Sequence, residues 1–448
     1  MDSAKLLKKY NVAAPRYTSY PTVPYWDNDQ FNAEAWAQAV QFTYNKHADE
    51  GISLYIHLPF CESLCTYCGC NTRITKNHAV ELPYIKAVLA EWEMYVALLG
   101  EAPLISELHL GGGTPTFFSA QNLRVLVQGI LASAKQSNKA EFSFEAHPAN
   151  TTEDHLKTLF QLGFKRLSLG IQDFDPKVQL MINRFQTPAE VAAVTKMARK
   201  IGYTSINFDL IYGLPCQNLV GLSETLNEVI AMRPDRIAFY SYAHVPWLKP
   251  VQRHYTELDL PTGDEKFALY QLGKSFFLHA GYADVGMDHF ALKTDPLFKA
   301  SLTRQLHRNF MGYTNQHTHL LIGLGVSSIS DCWGAFAQNP KTLASYLEKI
   351  NLGQLAVEKG HLLTEQDLSI RQHILNIMCK DTTKYNDDIP KRVFHRLAPL
   401  IDDQLIFVND NEIKVSLLGK SFLRNICMAF DEKLWLKQPQ SQLFSTAI

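Results

Sequence analysis

The chain has 448 residues, of which 46% are hydrophobic, and its formal net charge at pH 7 is −1. This length suggests about two or three domains with a large core, and the near-neutral charge argues against a general polyanion binder. The N-terminus has no signal-peptide pattern, and no apolar run is long enough to span a bilayer. We therefore expect a soluble, cytoplasmic protein with no membrane or nucleic-acid partner, in a reducing compartment.

Residues 1–50 show no clear periodicity and are predicted to be an irregular N-terminal arm. Pro15 and Pro21 bracket the segment 16–20, which we expect to be extended because a residue before proline avoids the helical region. Two interpretations stay open for this segment: it is a tail that docks on the rest of the protein, or it is an arm that closes over a site.

From Gly51 to Tyr242, short apolar strands alternate with helical segments, one of which opens with the capping box Thr187-Pro-Ala-Glu190. Such alternation predicts a parallel sheet with right-handed crossovers, either doubly wound or closed as a barrel. In both folds, ligands collect at the carboxyl ends of the strands. The six predicted strands are 53–57, 105–110, 141–145, 166–170, 205–211 and 236–242.

Four of the eight cysteines follow the first predicted strand within ten residues: Cys61, Cys65, Cys68 and Cys70. Ligation by thiolates alone favours zinc or an iron–sulfur cluster. A four-cysteine zinc site usually draws on two separated pairs, whereas these thiols share one short loop. A 4Fe–4S cube suits this spacing better because each thiolate takes a different iron. Three ligands leave one iron open for a substrate or cofactor.

Reactive or glycine-rich residues follow all six predicted strands. Each feature alone has a simple explanation: a tight turn accounts for the glycines Gly111–Gly113, and solvated strand ends account for the carboxylates Glu145 and Asp209. Their recurrence after six successive strands predicts one ligand site along this edge of the sheet. In strand order they are the cysteine loop, Gly111–Gly113 with Thr114, Glu145, Gln172, Asp209 and Ala243.

Three further positions near these loops carry candidate chemistry. Tyr55 and His57 differ by two in the first strand and so project to one face; His57 is the candidate catalytic residue, or else a core histidine. Tyr67 lies between the second and third thiols, and we expect it either to stack on an adenine or to pack within the loop. Arg184 meets a ligand carboxylate or forms a surface ion pair.

The second half of the chain is less regular. A helix is predicted over 262–280 and a loop-rich stretch over 284–335. From about Thr364 the pattern changes to helices with one hairpin, typical of a small winged-helix-like domain acting as a structural lid. It is not markedly basic, which argues against a nucleic-acid role. The predicted units are an N-terminal arm (1–50), a barrel (51–285), a linking and site-covering segment (286–360) and the C-terminal domain (361–448).

Taken together, these motifs resemble the radical S-adenosylmethionine superfamily, through Cys61-x3-Cys65-x2-Cys68 after the first strand and Gly-Gly-Gly-Thr-Pro after the second. The implied fold is an incomplete (β/α)6 barrel of TIM-like α/β type, with an N-terminal arm and a small, mainly α C-terminal domain. Longer strings resemble the family of bacterial oxygen-independent coproporphyrinogen III oxidases. They are PRYTSYPT (15–22), YIHLPFC (55–61), CGCN (68–71), GIQDF (170–174), DLIYGLP (209–215), GMDHF (286–290) and RNICM (424–428).

The resemblance implies one 4Fe–4S cluster held by Cys61, Cys65 and Cys68, with Cys70 close by but not a ligand. It also implies two bound S-adenosylmethionine molecules. Contacts to the first match Tyr55, Gly112, Glu145 and Ile329. Further contacts, several of them to the second, match Tyr67, Gly113, Thr114, Gln172, Arg184, Asp209 and Ala243.

The implied reaction belongs to haem biosynthesis. A one-electron donor of flavodoxin or ferredoxin type reduces the cluster, and a 5′-deoxyadenosyl radical takes a β-hydrogen from a propionate of coproporphyrinogen III. Loss of carbon dioxide and one electron leaves a vinyl group, and two such conversions yield protoporphyrinogen IX. The resemblance implies a monomer. On chemistry alone, Arg16, Arg73 and Arg308 are candidate partners for the remaining propionates.

One residue departs from the family pattern: Met311 stands where members often carry glutamine, which affects the detail of substrate or cofactor contact and not the reaction class. Two alternatives are weighed. A haem-trafficking chaperone of the same superfamily typically has an aromatic at the position of Cys70, and both Cys70 and the segment His307–Thr314 favour the oxidase. A structural metal module without turnover is disfavoured by the reactive strand ends.

Overall fold

A computed structural model describes residues 3–386, 389–437 and 443–446. All six predicted strands are present at the centre of a 12-stranded sheet, and neighbours in the chain are neighbours in the sheet. A doubly wound sheet reverses its strand order at a switch point, so this order favours the barrel. The central strands are β1 (Ile52–Leu58), β2 (Leu104–Gly112), β3 (Lys135–Ala146), β4 (Phe164–Gln172), β5 (Ser205–Tyr212) and β6 (Arg236–Ser241).

The pairing between these strands is parallel throughout, with Tyr55 opposite His109 and Glu145 opposite Ser168. The carboxyl ends of the six strands therefore lie along one edge. Each strand buries apolar side chains against the surrounding helices, and these residues form the larger of the two main cores. The barrel is incomplete, since the sheet ends in two edge strands, Tyr282–Gly286 and Lys359–Leu362.

Six short strands widen the sheet on both sides. Next to β6, His289–Leu292 and Tyr282–Gly286 are antiparallel. Next to β1, Leu321–Leu324 is parallel, followed by antiparallel Ile329–Asp331, Ala335–Gln338 and Lys359–Leu362. The stretch 284–335 is rich in loops as predicted, but it also contains short strands that the sequence analysis did not predict. Strands of three to five residues are too short to show a clear alternation in the sequence.

Two smaller strand pairs flank the site. Phe60–Cys61 pairs with Arg73–Ile74 and so closes the cysteine loop at its base. His307–Asn309 pairs with Gly312–Thr314 in a tight hairpin that carries Met311.

Helices alternate with the strands as predicted, and the sequence signals mark their ends. Ser119 accepts a hydrogen bond from the Asn122 N–H, and Thr187 with Glu190 forms the predicted capping box. The described helices are Ser3–Tyr10, Ala33–His47, Glu81–Leu99, Ala120–Ala132, Glu153–Gln161, Pro176–Ile182, Pro188–Ile201, Leu219–Met232, Gly263–His279, Pro296–Leu302, Leu343–Asn351, Glu365–Lys380, Lys391–Asp402, Leu423–Phe430 and Glu432–Leu436. None of these helices is both long enough and apolar enough to cross a bilayer.

Two of these helices, Ser3–Tyr10 and Ala33–His47, correct the expectation that residues 1–50 are irregular. Leu6, Leu7 and Tyr10 pack into the second core, together with the C-terminal helices. Tertiary packing of one apolar face stabilises such a short helix, which isolated propensity does not predict. The segment between the two helices is not extended, so the expectation for residues 16–20 is wrong. Tyr17 has a φ of +48°, residues 18–21 form a series of bends, and Val23–Tyr25 is a short 3-10 helix.

The C-terminal region consists of helices and a three-stranded antiparallel sheet, as predicted from its helices and hairpin. The strands are Thr382–Lys384, Ile406–Asn409 and Glu412–Val415. Residues 387–388, 438–442 and 447–448 of the predicted C-terminal unit, and residues 1–2 of the predicted arm, lie outside the described residues. The four unit boundaries, at 1–50, 51–285, 286–360 and 361–448, stay predictions.

Candidate active site at the strand ends

The cysteine loop lies over the carboxyl ends of the parallel strands. The Thr66 N–H donates to the Ile182 carbonyl at 3.0 Å, and the Cys68 N–H donates to the Cys65 carbonyl at 3.2 Å. These bonds turn the loop inward, so that all four of its thiols line one cavity of about 820 Å³.

The groups around the thiols suit thiolate ligands. Arg184 Nη1 lies 3.8 Å from Cys65 Sγ, and Thr114 Oγ1 lies 3.4 Å from Cys61 Sγ. Burial raises the pKa of the Cys61 thiol to about 11, whereas a hydrogen bond with Cys70 lowers the pKa of Cys68 to about 7. Metal binding displaces such protons, and nearby cationic and hydroxyl groups favour the thiolate. An all-sulfur donor set on one short loop therefore fits an iron–sulfur cluster.

The glycines after β2 allow its end to lie directly against the end of β1. A Cβ on Gly112, which has a φ of +112°, would lie 2.7 Å from the His57 ring. A Cβ on Gly113 would lie 2.7 Å from the Pro59 backbone. The Gly113 N–H donates to the Leu58 carbonyl at 2.8 Å. Only glycine fits this contact, which places backbone amides at the cavity wall.

Behind this wall, both ring nitrogens of His57 are engaged. Its Nε2 lies 2.8 Å from the Asn71 carbonyl and must donate, so Nδ1 accepts from the Tyr55 hydroxyl at 3.0 Å. Burial lowers the pKa of His57, which keeps the ring neutral. This arrangement suits a residue that positions Tyr55 and the cysteine loop. The catalytic role of His57 stays a prediction.

Two carboxylates at the cavity wall differ in charge state. Burial tends to raise the pKa of Glu145, but hydrogen bonds with His109 and the Gly112 N–H outweigh it and leave that pKa lowered. Asp209 accepts from the Ser168 hydroxyl at 2.7 Å, and burial raises its pKa to about 6. Glu145 is therefore anionic at neutral pH, whereas Asp209 titrates close to it.

Arg184 follows a helix that the sequence interpretation omitted, Pro176–Ile182. This helix ends at Asn183 in the left-handed conformation, and Arg184 then turns back into the cavity. One terminal nitrogen donates to the Gly170 carbonyl at 2.5 Å. Its Nε is buried and has no hydrogen-bond partner among the described residues, while the guanidinium as a whole lines the cavity.

The cavity collects most of the predicted site residues but not all of them. Tyr55 and His57 lie behind its wall, and Ile329 lies outside it beside Gly323, which is opposite Tyr55 on β1. The predicted residues that line the cavity are Cys61, Cys65, Tyr67, Cys68, Gly112, Gly113, Thr114, Glu145, Gln172, Arg184, Asp209 and Ala243.

Sequence reasoning missed several lining residues. Ser168, Gly170 and Gln172 alternate along β4, so a period of two would have predicted Ser168. Gln252, in contrast, carries no local signal. Its side chain donates to the carbonyls of Tyr67 and Ala243, at 3.2 and 3.1 Å, and so ties the cysteine loop to the loop after β6.

The three candidate arginines have different surroundings. Arg16 lines the cavity and donates to the Ser241 carbonyl at 2.5 Å. Arg308 is buried, and its Nε and Nη1 have no hydrogen-bond partner among the described residues. Arg73 is exposed at the base of the cysteine loop, outside the lining. Met311 lines a smaller adjoining cavity of about 190 Å³, which shares Glu145 with the larger one.

Comparison with known proteins agrees with this geometry. Residues 55–229 match the family model described as the radical SAM superfamily. The solved structure of coproporphyrinogen III oxidase from Escherichia coli, described as a radical SAM enzyme, superposes with a TM-score of 0.88 at 35% identity. The match covers 96% of this chain and 98% of the Escherichia coli chain. Fold and site thus define a radical SAM enzyme, and the predicted fold class is confirmed. Such enzymes use a 4Fe–4S cluster and S-adenosylmethionine.

Two curated relatives narrow the assignment. The oxygen-independent coproporphyrinogen III oxidase of Synechocystis sp. is 38% identical over 460 aligned residues, covering 100% of this chain and 98% of the relative. That of Escherichia coli K12 is 37% identical, covering 99% and 98%. The chain belongs to the family of oxygen-independent coproporphyrinogen III oxidases.

Proposed function

We propose that this protein converts two propionate side chains of coproporphyrinogen III to vinyl groups without oxygen, giving protoporphyrinogen IX in haem biosynthesis. One observation carries the proposal. Three thiols of a single loop face the carboxylates and glycines of the neighbouring strand ends across one cavity. This arrangement occurs in a chain that matches oxidases of this family over its whole length.

Cys61, Cys65 and Cys68 would hold one 4Fe–4S cluster, and Cys70 would stay beside it as a thiol. The cavity of about 820 Å³ would receive S-adenosylmethionine beside the cluster, and the number of two such molecules rests on the resemblance to the family. When bound, cluster and cofactor supply a carbon-centred radical that removes hydrogen from the substrate side chain.

The chain's own residues bind and orient these ligands. Anionic Glu145 suits the ammonium group of the first cofactor molecule, next to the backbone at Gly112, with Tyr55 and Ile329 behind. The partly engaged guanidinium of Arg184 suits a ligand carboxylate. Asp209, with its raised pKa, suits hydroxyl groups. The remaining contacts, several of them to the second molecule, fall to Tyr67, Gly113, Thr114, Gln172 and Ala243.

The substrate side chains need cationic partners because their propionates are anionic. Among the three candidates we favour Arg16, which lines the cavity, whereas buried Arg308 and exposed Arg73 lie outside its lining. Placing the reacting C–H bond accurately and excluding water are the protein's main contributions. We further infer a cytoplasmic monomer that receives single electrons from a flavodoxin- or ferredoxin-like donor.

The direct test is anaerobic turnover. Cluster-loaded protein is incubated with S-adenosylmethionine, a reductant and coproporphyrinogen III, and the porphyrin products are separated and weighed by mass spectrometry. We expect loss of two carboxyl groups and formation of two vinyl groups. Stoichiometric haem binding without any vinyl product would instead indicate a haem chaperone.

The ligand assignment has its own test in two matched variants from one loop. Cys61→Ala removes a cluster ligand and should lose both iron and activity. Cys70→Ala should keep its iron, because its thiol lies beside the cluster ligands without being one. Iron content and the visible absorption of the cluster report both outcomes. Full iron in the first variant, or none in the second, would contradict the assignment.

A further inference from the structure

Two histidines and a glutamate meet at the end of the barrel opposite the cysteine loop. His47 ends the helix Ala33–His47, Glu50 lies just before β1, and His319 lies just before the strand Leu321–Leu324. That strand runs parallel to β1, and the Ser53 N–H donates to the Leu320 carbonyl at 2.9 Å. The amino ends of both strands therefore coincide, which brings together residues about 270 positions apart in the chain.

The three side chains point at one another. Glu50 accepts from His47 Nδ1 at 2.9 Å with one carboxylate oxygen, and from His319 Nδ1 at 2.6 Å with the other. One potential ligand atom from each residue lies within 4.8 Å of the other two. The side chains are 23%, 37% and 22% exposed in the order His47, Glu50, His319. An ion can thus enter from solvent.

We propose that His47, Glu50 and His319 bind one zinc ion, at a site separate from the iron–sulfur cluster. Two imidazoles and one carboxylate are a ligand set that zinc uses, with a fourth position left to water. The site contains no thiol, which distinguishes it from the cysteine loop. Each neutral ring binds the ion through Nδ1, and its proton moves from Nδ1 to Nε2, so that the imidazole stays neutral.

The two stacked rings must separate slightly to take up an ion. The rings of His47 and His319 lie nearly parallel, with their centroids 3.7 Å apart. Each Nδ1 already points at one oxygen of Glu50. Because an ion must lie in the plane of each ring, binding turns the stacked rings apart. One divalent ion then satisfies both ring nitrogens and the carboxylate together.

Such an ion would tie the helix Ala33–His47 to the starts of two neighbouring strands. Its binding energy would add to the stability of the folded chain, because the unfolded chain does not hold the three ligands together. The site is far from the strand ends that carry the reaction, so we infer a structural role.

The test uses cluster-loaded protein dialysed against a series of buffered free zinc concentrations, with zinc and iron measured together by mass spectrometry. We expect one zinc per chain without loss of iron. His319→Ala and Glu50→Gln should weaken zinc binding at least about tenfold, since even the loss of residues that support a ligand costs that much. His279→Ala is the matched control, because this exposed histidine is hydrogen-bonded to Ser275 within its own helix.

A second measurement separates a bound ion from a structural fault in the variants. Zinc should raise the melting temperature of the wild type and of His279→Ala, and leave that of His319→Ala unchanged. Zinc taken up by the cysteine loop would occur equally in every variant and would displace iron. Equal zinc binding by the wild type and His319→Ala, or no zinc bound to the wild type at micromolar free zinc, would overturn the proposal.

Discussion

Replacement of Gly113 by alanine tests whether close packing of the first two strand ends positions the cysteine loop. The new Cβ would lie 2.7 Å from the carbonyl carbon and oxygen of Pro59, and 2.9 Å from the carbonyl oxygen of Phe60. These are backbone atoms, and they cannot rotate away as a side chain would. They lie directly before Cys61, so any adjustment moves the start of the loop.

The size of the effect follows from these distances. The Cβ would be about 0.7 Å inside the 3.4 Å lower limit of ordinary contact. Overpacking of this kind costs about 1–3 kcal/mol, which a domain with a typical stability of about 5–15 kcal/mol tolerates. A displacement near 1 Å between reacting groups, in contrast, lowers the rate about 100-fold. We therefore expect Gly113→Ala to fold, to load its cluster and to turn over about 100-fold more slowly.

The control lies outside the cavity, just before the strand Ala335–Gln338. A Cβ added to Gly334 would meet no atom of the described residues within 4 Å beyond its own chain neighbours, and the φ of Gly334 is not positive. Gly334→Ala should therefore keep nearly the wild-type rate. Anaerobic turnover is measured for both variants at equal iron content, with urea denaturation as the check on stability. A Gly113→Ala enzyme as fast as Gly334→Ala would refute the packing argument.

Two further predictions concern stability. Burial raises the pKa of Glu91 to about 7 from an ordinary 4.5. The protonated side chain therefore adds up to about 3 kcal/mol to the free energy of unfolding below pH 4.5, and this contribution is lost as the pH rises through 7. Glu91→Gln should flatten this fall in urea denaturation between pH 5 and 8, and an equal fall in both proteins would contradict the assignment. Asp295→Ala leaves the buried Arg236, 2.8 Å away, without its ion-pair partner. It should lower the free energy of unfolding by about 3–5 kcal/mol. Glu153→Ala, which loses only the exposed pair with Lys157, should change little, and equal losses would argue against the buried pair.

The long barrel elements were predictable because they carry several agreeing signals. The helical pattern of residues 81–99 predicts a helix with the bounds that the structure shows, Glu81–Leu99. The helix Pro188–Ile201 starts at its capping box and ends before Gly202. The helix Pro176–Ile182 was missed, although Asp175 before Pro176 is a start signal. In the structure, Asp175 accepts hydrogen bonds from the N–H groups of the first turn. Its seven residues were too few to show a helical period.

The short strands beside β1 could not be predicted from local pattern. Leu321–Leu324 is stabilised by parallel pairing with β1, a partner about 270 residues earlier. The helix Ser3–Tyr10 likewise depends on a core formed mostly by residues 285–313 and 370–430. Long-range contacts decide both elements, and a single sequence does not contain them in local form.

The active-site edge and the proposed zinc site differ in this respect. Ligand residues at the carboxyl ends follow their own strands directly, so a rule about strand ends finds Glu145 or Asp209 without knowledge of the register. The amino ends have no such rule. His47 and His319 meet only because Leu321 pairs with Ser53 in one register of one parallel pair, and a shift by a single residue would turn the side chains of that strand to the other face. Sites that depend on register therefore require the structure, even in a chain whose reaction the sequence already indicates.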